Sequence, residues 1–293
     1  MDMPQEAPAA FRTSAFRTSA ARPGPLGLVA EALHEVRSRH RLIRYLAQAD
    51  LKKKGTDTLF GNVWWILDPL LQMAVYVILV TLIFQRSVPD YPLFVFAAIL
   101  PWKWFTTAIG DAIASVSGQD RLIKQIKFPK IVLPSAVMLA GIAQFAFGLI
   151  PLAAMLVLMY PARISPMLVF IPVVAAVQFV FTVGLGLLLA AVNVFFRDVG
   201  ILARHVLRLW FYLSPALYGA AVVAEVGDSQ PIIATLMRLN PFYTILESYR
   251  QAIYDGAVPD LAALAVVLIG SVGLLLVGVV FFKRLEPAFA KVL

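Results

Sequence analysis

Long apolar runs alternate with short charged ones along the chain. A helix needs about 20 mainly apolar residues to cross a membrane's hydrocarbon core. Six segments approach or exceed that length: 63–84, 92–117, 132–160, 167–195, 206–223 and 258–282. The second holds Pro101, Lys103 and Asp111, which predicts a kink or break, because proline removes a backbone donor. Residues 28–54 place Val29, Leu33, Val36, Ile43 and Leu46 at roughly helical spacing among many basic residues. That is the pattern of an amphipathic helix lying in the interface plane. Residues 224–257 read as two short helices, PIIATLMRL and NPFYTILESYRQAIYDG, divided at Asn240-Pro241. The expected architecture is an all-α membrane protein with six transmembrane helices. An N-terminal cytoplasmic amphipathic helix precedes them, and short external re-entrant helices lie between spans five and six.

Composition supports a membrane chain. Hydrophobic residues make up 60% and charged ones 14%, with a mean hydropathy of +0.82, whereas soluble domains are about a quarter charged. A net charge of +8 would suggest nucleic acid in a soluble protein. In a membrane protein it reflects Lys and Arg gathered in the cytoplasmic loops. With the N-terminus inside, only Lys103, Arg86, Arg163, Arg238 and Arg250 of the 25 basic residues fall elsewhere. Both termini are therefore expected in the cytoplasm, with no nucleic-acid partner. The absence of cysteine excludes disulfides and thiolate chemistry. His34, His40 and His205 form no i, i+4 ligand pair, so no metal is expected. Residues 1–27 repeat FRTSA at 11–15 and 16–20 and lack the apolar core of a signal peptide. They read as a disordered cytoplasmic tail, followed by the interface helix at 28–54 and a permease domain over 55–293.

The stretch RLIKQIKFPK, residues 121–130, carries four basic residues between two apolar spans. On a wheel of about 100° per residue, Leu122, Ile123 and Ile126 face one way and Arg121, Lys124 and Lys127 the other. Phe128-Pro129 ends the turn, since a residue before proline disfavours helix. A short amphipathic helix on the cytoplasmic side follows. It either sets topology or docks a cytoplasmic partner, and periodicity alone does not choose.

A resemblance does choose. DLKKKGTDTLFGNVWWILDPLL (50–71) is similar to the approach to the first span in ABC permeases that export polysaccharides, the O-antigen and teichoic-acid type. Asp50, Leu51, Lys52, Gly61, Trp64, Leu67 and Pro69 match that pattern. Lys54, Thr58 and Asp68 are close substitutes, and Gly55 stands where Tyr is usual. ILPWKWF (99–105) resembles the family's second span, with Lys103 an unusual residue there. LIKQIKFPKIVLPSA (122–136) resembles its coupling helix. NVFFRDVG (193–200), FYLSPALY (211–218), NPFYTILESYRQAI (240–253) and FKRLEPAFAKVL (282–293) also fit.

The resemblance implies a homodimer with two ATP-binding subunits in the cytoplasmic membrane, ATP and Mg being bound by the partner. The chain has no G-x-x-x-x-G-K-[ST] loop to cradle phosphates and is expected to be no enzyme and to hold no cofactor. The implied substrate is a glycan linked through pyrophosphate to a polyprenyl lipid. By the same resemblance, Arg121, Leu122, Ile123, Lys124, Ile126, Lys127 and Phe128, with Arg197 and Asp198, would meet the ATPase. Arg44, Lys52, Lys53 and Lys54, near the Arg37–Arg44 cluster, would hold the pyrophosphate or lipid head groups. Trp64, Trp65, Tyr76, Trp210, Phe211, Tyr212 and Tyr218 would line a glycan channel, because sugar C–H faces pack on rings. Asn240, Pro241, Glu247 and Arg250 would form an external gate. The competing readings are an ABC permease for a lipid or drug, an ion-coupled secondary transporter and a membrane glycosyltransferase.

Overall fold

The computed structural model describes residues 23–56, 59–83 and 88–293. Most of the expected tail, Thr58 of the first-span motif and Arg86 lie outside them. Among the described residues the chain is all helix, without a strand. The helices are α1 (Pro25–Ser38), α2 (His40–Gly55), α3 (Trp64–Val77), α4 (Tyr91–Ser117), α5 (Asp120–Gln125), α6 (Val132–Leu158), α7 (Phe170–Phe195), α8 (Val199–Leu213), α9 (Ala220–Ser229), α10 (Pro231–Leu239), α11 (Pro241–Arg250) and α12 (Leu261–Val292).

Five helical segments are long and apolar enough to cross a membrane: Gly61–Ile83, Tyr91–Ser117, Val132–Leu158, Pro166–Phe195 and Leu261–Val292. The first includes a π-helical turn at Ile78–Ile83, and the fourth opens on a 3-10 turn at Pro166–Val169. The expected fifth span, 206–223, is not one helix. It divides at Ser214, where the backbone turns extended, and Ala220 begins α9. Its N-terminal part starts earlier than expected and adds Arg204 and His205 to Arg208, which lowers its hydropathy. The interface segment is likewise two helices, broken at Arg39. Three short helices, not two, occupy 220–250.

Helix α4 is the axle of the bundle. It runs unbroken through Pro101, contrary to the expected kink, and 72% of its apolar window is buried, against 11% for the first span. Close packing compensates for the donor lost at proline. Leu93, Phe96, Phe105, Ala108, Ile109 and Ala112 are all fully buried. Two side-chain clamps from α7 tie to its main chain. The Gln178 amide donates to the Pro101 carbonyl at 2.8 Å, and the Asn193 amide to the Ile113 carbonyl at 2.9 Å. Lipid offers no competing partner to such groups, so interhelical bonds of this kind persist.

Helices α7 and α12 cross closely over small residues. A Cβ on Gly278 would lie 2.5 Å from the Gly184 carbonyl oxygen, so only glycine permits the approach. The outer faces of α3 and α12 remain apolar and exposed, with Leu71, Val75, Leu82, Val266 and Ile269 on them. α12 also extends ten residues past the predicted limit, through Lys283 to Val292. The charge of Lys283 is neutralised in place, by Glu31 at 2.9 Å, Glu35 at 2.8 Å and Glu286 at 2.7 Å. This joins α1 to α12 at one end of the bundle, the end that also carries α5.

Candidate functional site

A cleft of about 1150 Å³ opens between α3, α4 and α8. Its chemistry follows from two helical stripes. On α8 and the residue pair before it, Arg197, Ile201, Arg204, Arg208 and Tyr212 recur at spacings of three and four and all line the cleft. The adjoining stripe of α8, Ala203, Leu207 and Phe211, is buried against the bundle and floors the same cleft. On α4, Lys103, Thr106, Gly110, Ile113 and Ser117 form the facing stripe. The helices run antiparallel, Trp102 of α4 packing on Phe211 of α8 at 5.5 Å between ring centroids. Three of the cleft's four basic residues, Arg197, Arg204 and Arg208, therefore line the part toward α5, where Asp120 is the one carboxylate, and aromatic rings with Lys103 line the other. Tyr76 stacks on Phe211 at 5.6 Å there, beside Trp102 and Tyr212. Arg197, Arg204 and Arg208 make no ion pair among the described residues. Arginines on a membrane helix face the bundle interior or a watered cavity, and these three face the cleft.

The structure divides the sequence-predicted residues. Of the rings, Tyr76, Phe211 and Tyr212 line this cleft. Trp64 and Trp65 line a smaller one of about 360 Å³ on the other side of α3, shared with Lys54, Asp68 and Lys103. Trp65 packs on Phe147 at 5.3 Å. Trp210 is packed within an aromatic cluster of Trp102, Phe105, Phe181 and Phe242, which places it in the core and not on the cleft wall. The Tyr218 hydroxyl donates to the Tyr212 carbonyl at 3.1 Å, away from the cleft lining. Trp102, which lies in the ILPWKWF motif but was given no site role, lines the cleft.

Among the basic candidates, Arg44, Lys52 and Lys53 are exposed and outside the cleft. Lys54 is committed elsewhere. Its ammonium lies 2.5 Å from Asp111 of α4 and 2.9 Å from Asp50 of its own helix. A reciprocal pair joins Lys103 of α4 to Asp68 of α3 at 2.5 Å. Sequence reading singled out Lys103 and Asp111 as odd charges in a span, but sequence separation hid both partners.

The coupling stretch folds more narrowly than its wheel predicts. α5 ends at Gln125, and Ile126 is extended at φ −127° and ψ 133°, so Ile126 and Lys127 leave the helix. The β-branched Ile126 and the approach to Phe128-Pro129 both disfavour a further turn. Ile123 is buried and Leu122 packs beside it, among Ala32, Val116, Leu133 and Phe289. Ile126 is 53% exposed, and Arg121 and Lys127 are exposed beside it. Lys124 donates to the main-chain oxygen of Leu293, and the Lys130 ammonium lies 5.6 Å from the centre of the Phe128 ring. Asp198 is exposed at the start of α8 and makes no ion pair with Arg197 among the described residues. On the far side of this end, burial pushes the Glu35 carboxyl above the ordinary carboxylate range, with its hydrogen bond to Lys283 pulling the other way and Glu286 adding to the rise.

At the opposite end, the gate candidates hold the break between α8 and α9. Asn240 caps α11 by accepting from the Phe242 amide at 3.0 Å. It also accepts from the Trp210 indole at 2.8 Å and donates to the Ser214 hydroxyl at 2.8 Å. Pro241 opens α11, where its missing donor costs nothing. The Arg250 guanidinium is buried. It donates to the carbonyls of Ala216 at 2.6 Å and Tyr218 at 2.9 Å, lies over the Phe94 ring at 4.0 Å, and meets Glu247 at 3.6 Å. The expected Glu247–Arg250 contact exists, but the arginine's main partners are the carbonyls that the broken helix leaves free. Nearby, Arg163 chelates Asp90 at 3.0 and 2.7 Å and donates to the Tyr254 carbonyl at 3.0 Å. The bond to Asp90 raises the Arg163 guanidinium above its ordinary range.

Residues 41–254 match the ABC-2 type transporter family model. The chain is 32% identical over 250 residues to an O-antigen export system permease protein RfbA of Myxococcus xanthus, covering 85% of this chain and 94% of that protein. Two proteins of the same name from Klebsiella pneumoniae are 28% and 26% identical over 254 and 256 residues, with 86% of this chain and 95% of each covered. With the family match running from α2 through the cleft to α11, this chain is a member of the ABC-2 type transporter family.

Proposed function

We propose that this chain is the membrane subunit of an ATP-driven exporter that moves a polysaccharide, linked through diphosphate to a polyprenyl lipid, across the cytoplasmic membrane. The relatives' names supply the polysaccharide. The observation that carries the rest is the cleft, cationic along one end and aromatic at the other. An anionic lipid head and its first sugars have that same polarity, in that order. In this reading α8 and the Ser214–Tyr218 turn that follows it make the sixth crossing. That path runs alongside α4 from the Ser117 end to the Tyr91 end, where the Tyr91 hydroxyl donates to the Leu217 carbonyl at 3.2 Å. The α5 end, with both termini, faces the cytoplasm. Helices α9 to α11 dip back from the outside.

ABC-2 permeases work with separate ATP-binding subunits, and we assign their contact here to Arg121, Ile126 and Lys127. Two copies of the chain, meeting through the exposed faces of α3 and α8, would close two half-channels into one. Arg44, Lys52 and Lys53 anchor the interface helices to anionic lipid. The test is reconstitution with the ATP-binding subunits in proteoliposomes. ATP-dependent movement of a polyprenyl-diphosphate-linked glycan is expected. Transport sustained by a proton gradient without the ATPase, or confined to simple lipids, would sink the proposal.

A further inference from the structure

We propose that Lys103 is a binding residue for the lipid diphosphate and that Asp68 is its displaceable counterion. The inference rests on the lipid-linked substrate reading and adds the site. Three observations converge on Lys103. It is the last cation of the cleft before the rings begin, since its neighbour Trp102 already packs on Phe211. Arg208 lies closer to the α5 end on the facing stripe, since Phe211 of the same helix is level with Trp102. A diphosphate that climbs Arg197, Arg204 and Arg208 therefore meets Lys103 last, with its first sugar among Trp102, Tyr76 and Tyr212.

The second observation is the exposure of the pair. The Lys103 and Asp68 side chains are 33% and 51% exposed. Lys283, in contrast, is sealed by three carboxylates at 5% exposure. A solvent-accessible pair is held weakly and can exchange partners. The third is the site's position between two spaces. Lys103 lines both the large cleft and the smaller one beyond α3, while Asp68 lines only the smaller. Asp68 thus draws the ammonium toward α3, and an anion in the large cleft draws it back. A diphosphate offers more negative charge than one carboxylate, so the exchange favours the substrate. Neutral lipids gain nothing from it. The device selects a diphosphate head and loosens the α3–α4 junction in the same step.

The experiment uses the full chain with its ATP-binding partner in lipid nanodiscs. Polyprenyl diphosphate and the uncharged polyprenol are titrated, and quenching of tryptophan fluorescence is read, Trp102 being at the site. Asp68→Asn frees Lys103 and should bind the diphosphate lipid about tenfold tighter, the change expected when one close charge interaction is removed. Lys103→Gln should bind it about tenfold weaker. The double variant, which leaves no lone charge to disturb folding, should match Lys103→Gln while melting close to the wild type. Polyprenol binding should be the same in all four. If Asp68→Asn and Lys103→Gln shift affinity in the same direction, or neither shifts it while the wild type binds, the pair is structural and the inference fails. If the wild type itself does not prefer the diphosphate lipid to polyprenol, the lipid-linked reading fails with it.

Discussion

Lys283 and Asn240 show how single polar side chains govern the two ends of this bundle. Lys283 is buried within α12 and carries three carboxylates, two of them from α1. Replacing it by Met leaves Glu35 and Glu286 crowded and unpaired, which costs several kcal/mol in a sealed interior. Glu31 is 44% exposed and Glu35 and Glu286 keep some access to water, so a loss of about 2 kcal/mol is the better expectation. A melting experiment on purified Lys283→Met should show it, with proteolysis of α1 faster than in the wild type. An unchanged melting point would mean that α1 is held by its apolar face, Leu28 and Ala32, alone. At the other end, Asn240→Ala removes a helix cap worth about 1 kcal/mol and two side-chain bonds worth about 0.6 kcal/mol each in a membrane protein. The expected result is a lower melting point together with a red-shifted, more quenchable Trp210, whose indole loses its acceptor.

Helix α5 sharpens the division of labour that periodicity alone leaves open. With Leu122 and Ile123 turned into the bundle and Ile126 turned out, substitutions on this stretch should separate into two classes. Leu122→Ser with Ile123→Ser should destabilise the permease itself, because both side chains pack on α1, α6 and α12. Ile126→Ser should leave its melting unchanged and weaken co-purification of the ATP-binding subunit by about tenfold, the effect of losing one well-buried interface side chain. Equal retention of that subunit by the Ile126→Ser protein would remove this residue from the interface. The contrast also shows where legibility stops. Apolar length located four spanning segments within two residues at each end, and the start of the last within three, because hydrocarbon thickness sets helix length whatever the neighbours. The break in α8 was not legible, since Ser214 and Pro215 sit in a run still apolar enough to read as a span. What holds it lies 26 to 36 residues away, in Asn240, which holds the Ser214 hydroxyl, and Arg250, which satisfies the freed carbonyls. The Lys54–Asp111 and Lys103–Asp68 pairs stayed hidden for the same reason. The first couples residues that are neighbours only once α2 meets α4, the second only once α3 packs on α4.

For the molecule as a whole, a crossing of the membrane by the broken α8–α9 segment decides on which side α9, α10 and the loop between them lie. The chain contains no cysteine, so any introduced thiol is the only one. Gln125 at the end of α5, Gln230 between α9 and α10, and Ala257 after α11 are all exposed. Ala257 belongs to the same end as Asp90 and Arg163, through Tyr254, whose hydroxyl donates to the Pro89 carbonyl at 2.7 Å. A backbone break within a membrane is tolerated only where protein satisfies its freed groups, and Arg250 does so here at the Ala216 and Tyr218 carbonyls. A sixth crossing by α8 therefore needs no second long apolar helix. An impermeant maleimide added to sealed right-side-out spheroplasts should modify Gln230→Cys and Ala257→Cys. It should reach Gln125→Cys only after the membrane is opened. If Gln230→Cys sides with Gln125→Cys, α8 returns to the face it left, and the cleft between α3, α4 and α8 opens to one side only. In that arrangement no path for a polymer runs along α8, and export would have to proceed between α3 and α12 at their exposed faces. The labelling pattern thus decides between a channel built on the arginine stripe and one built on the apolar flanks.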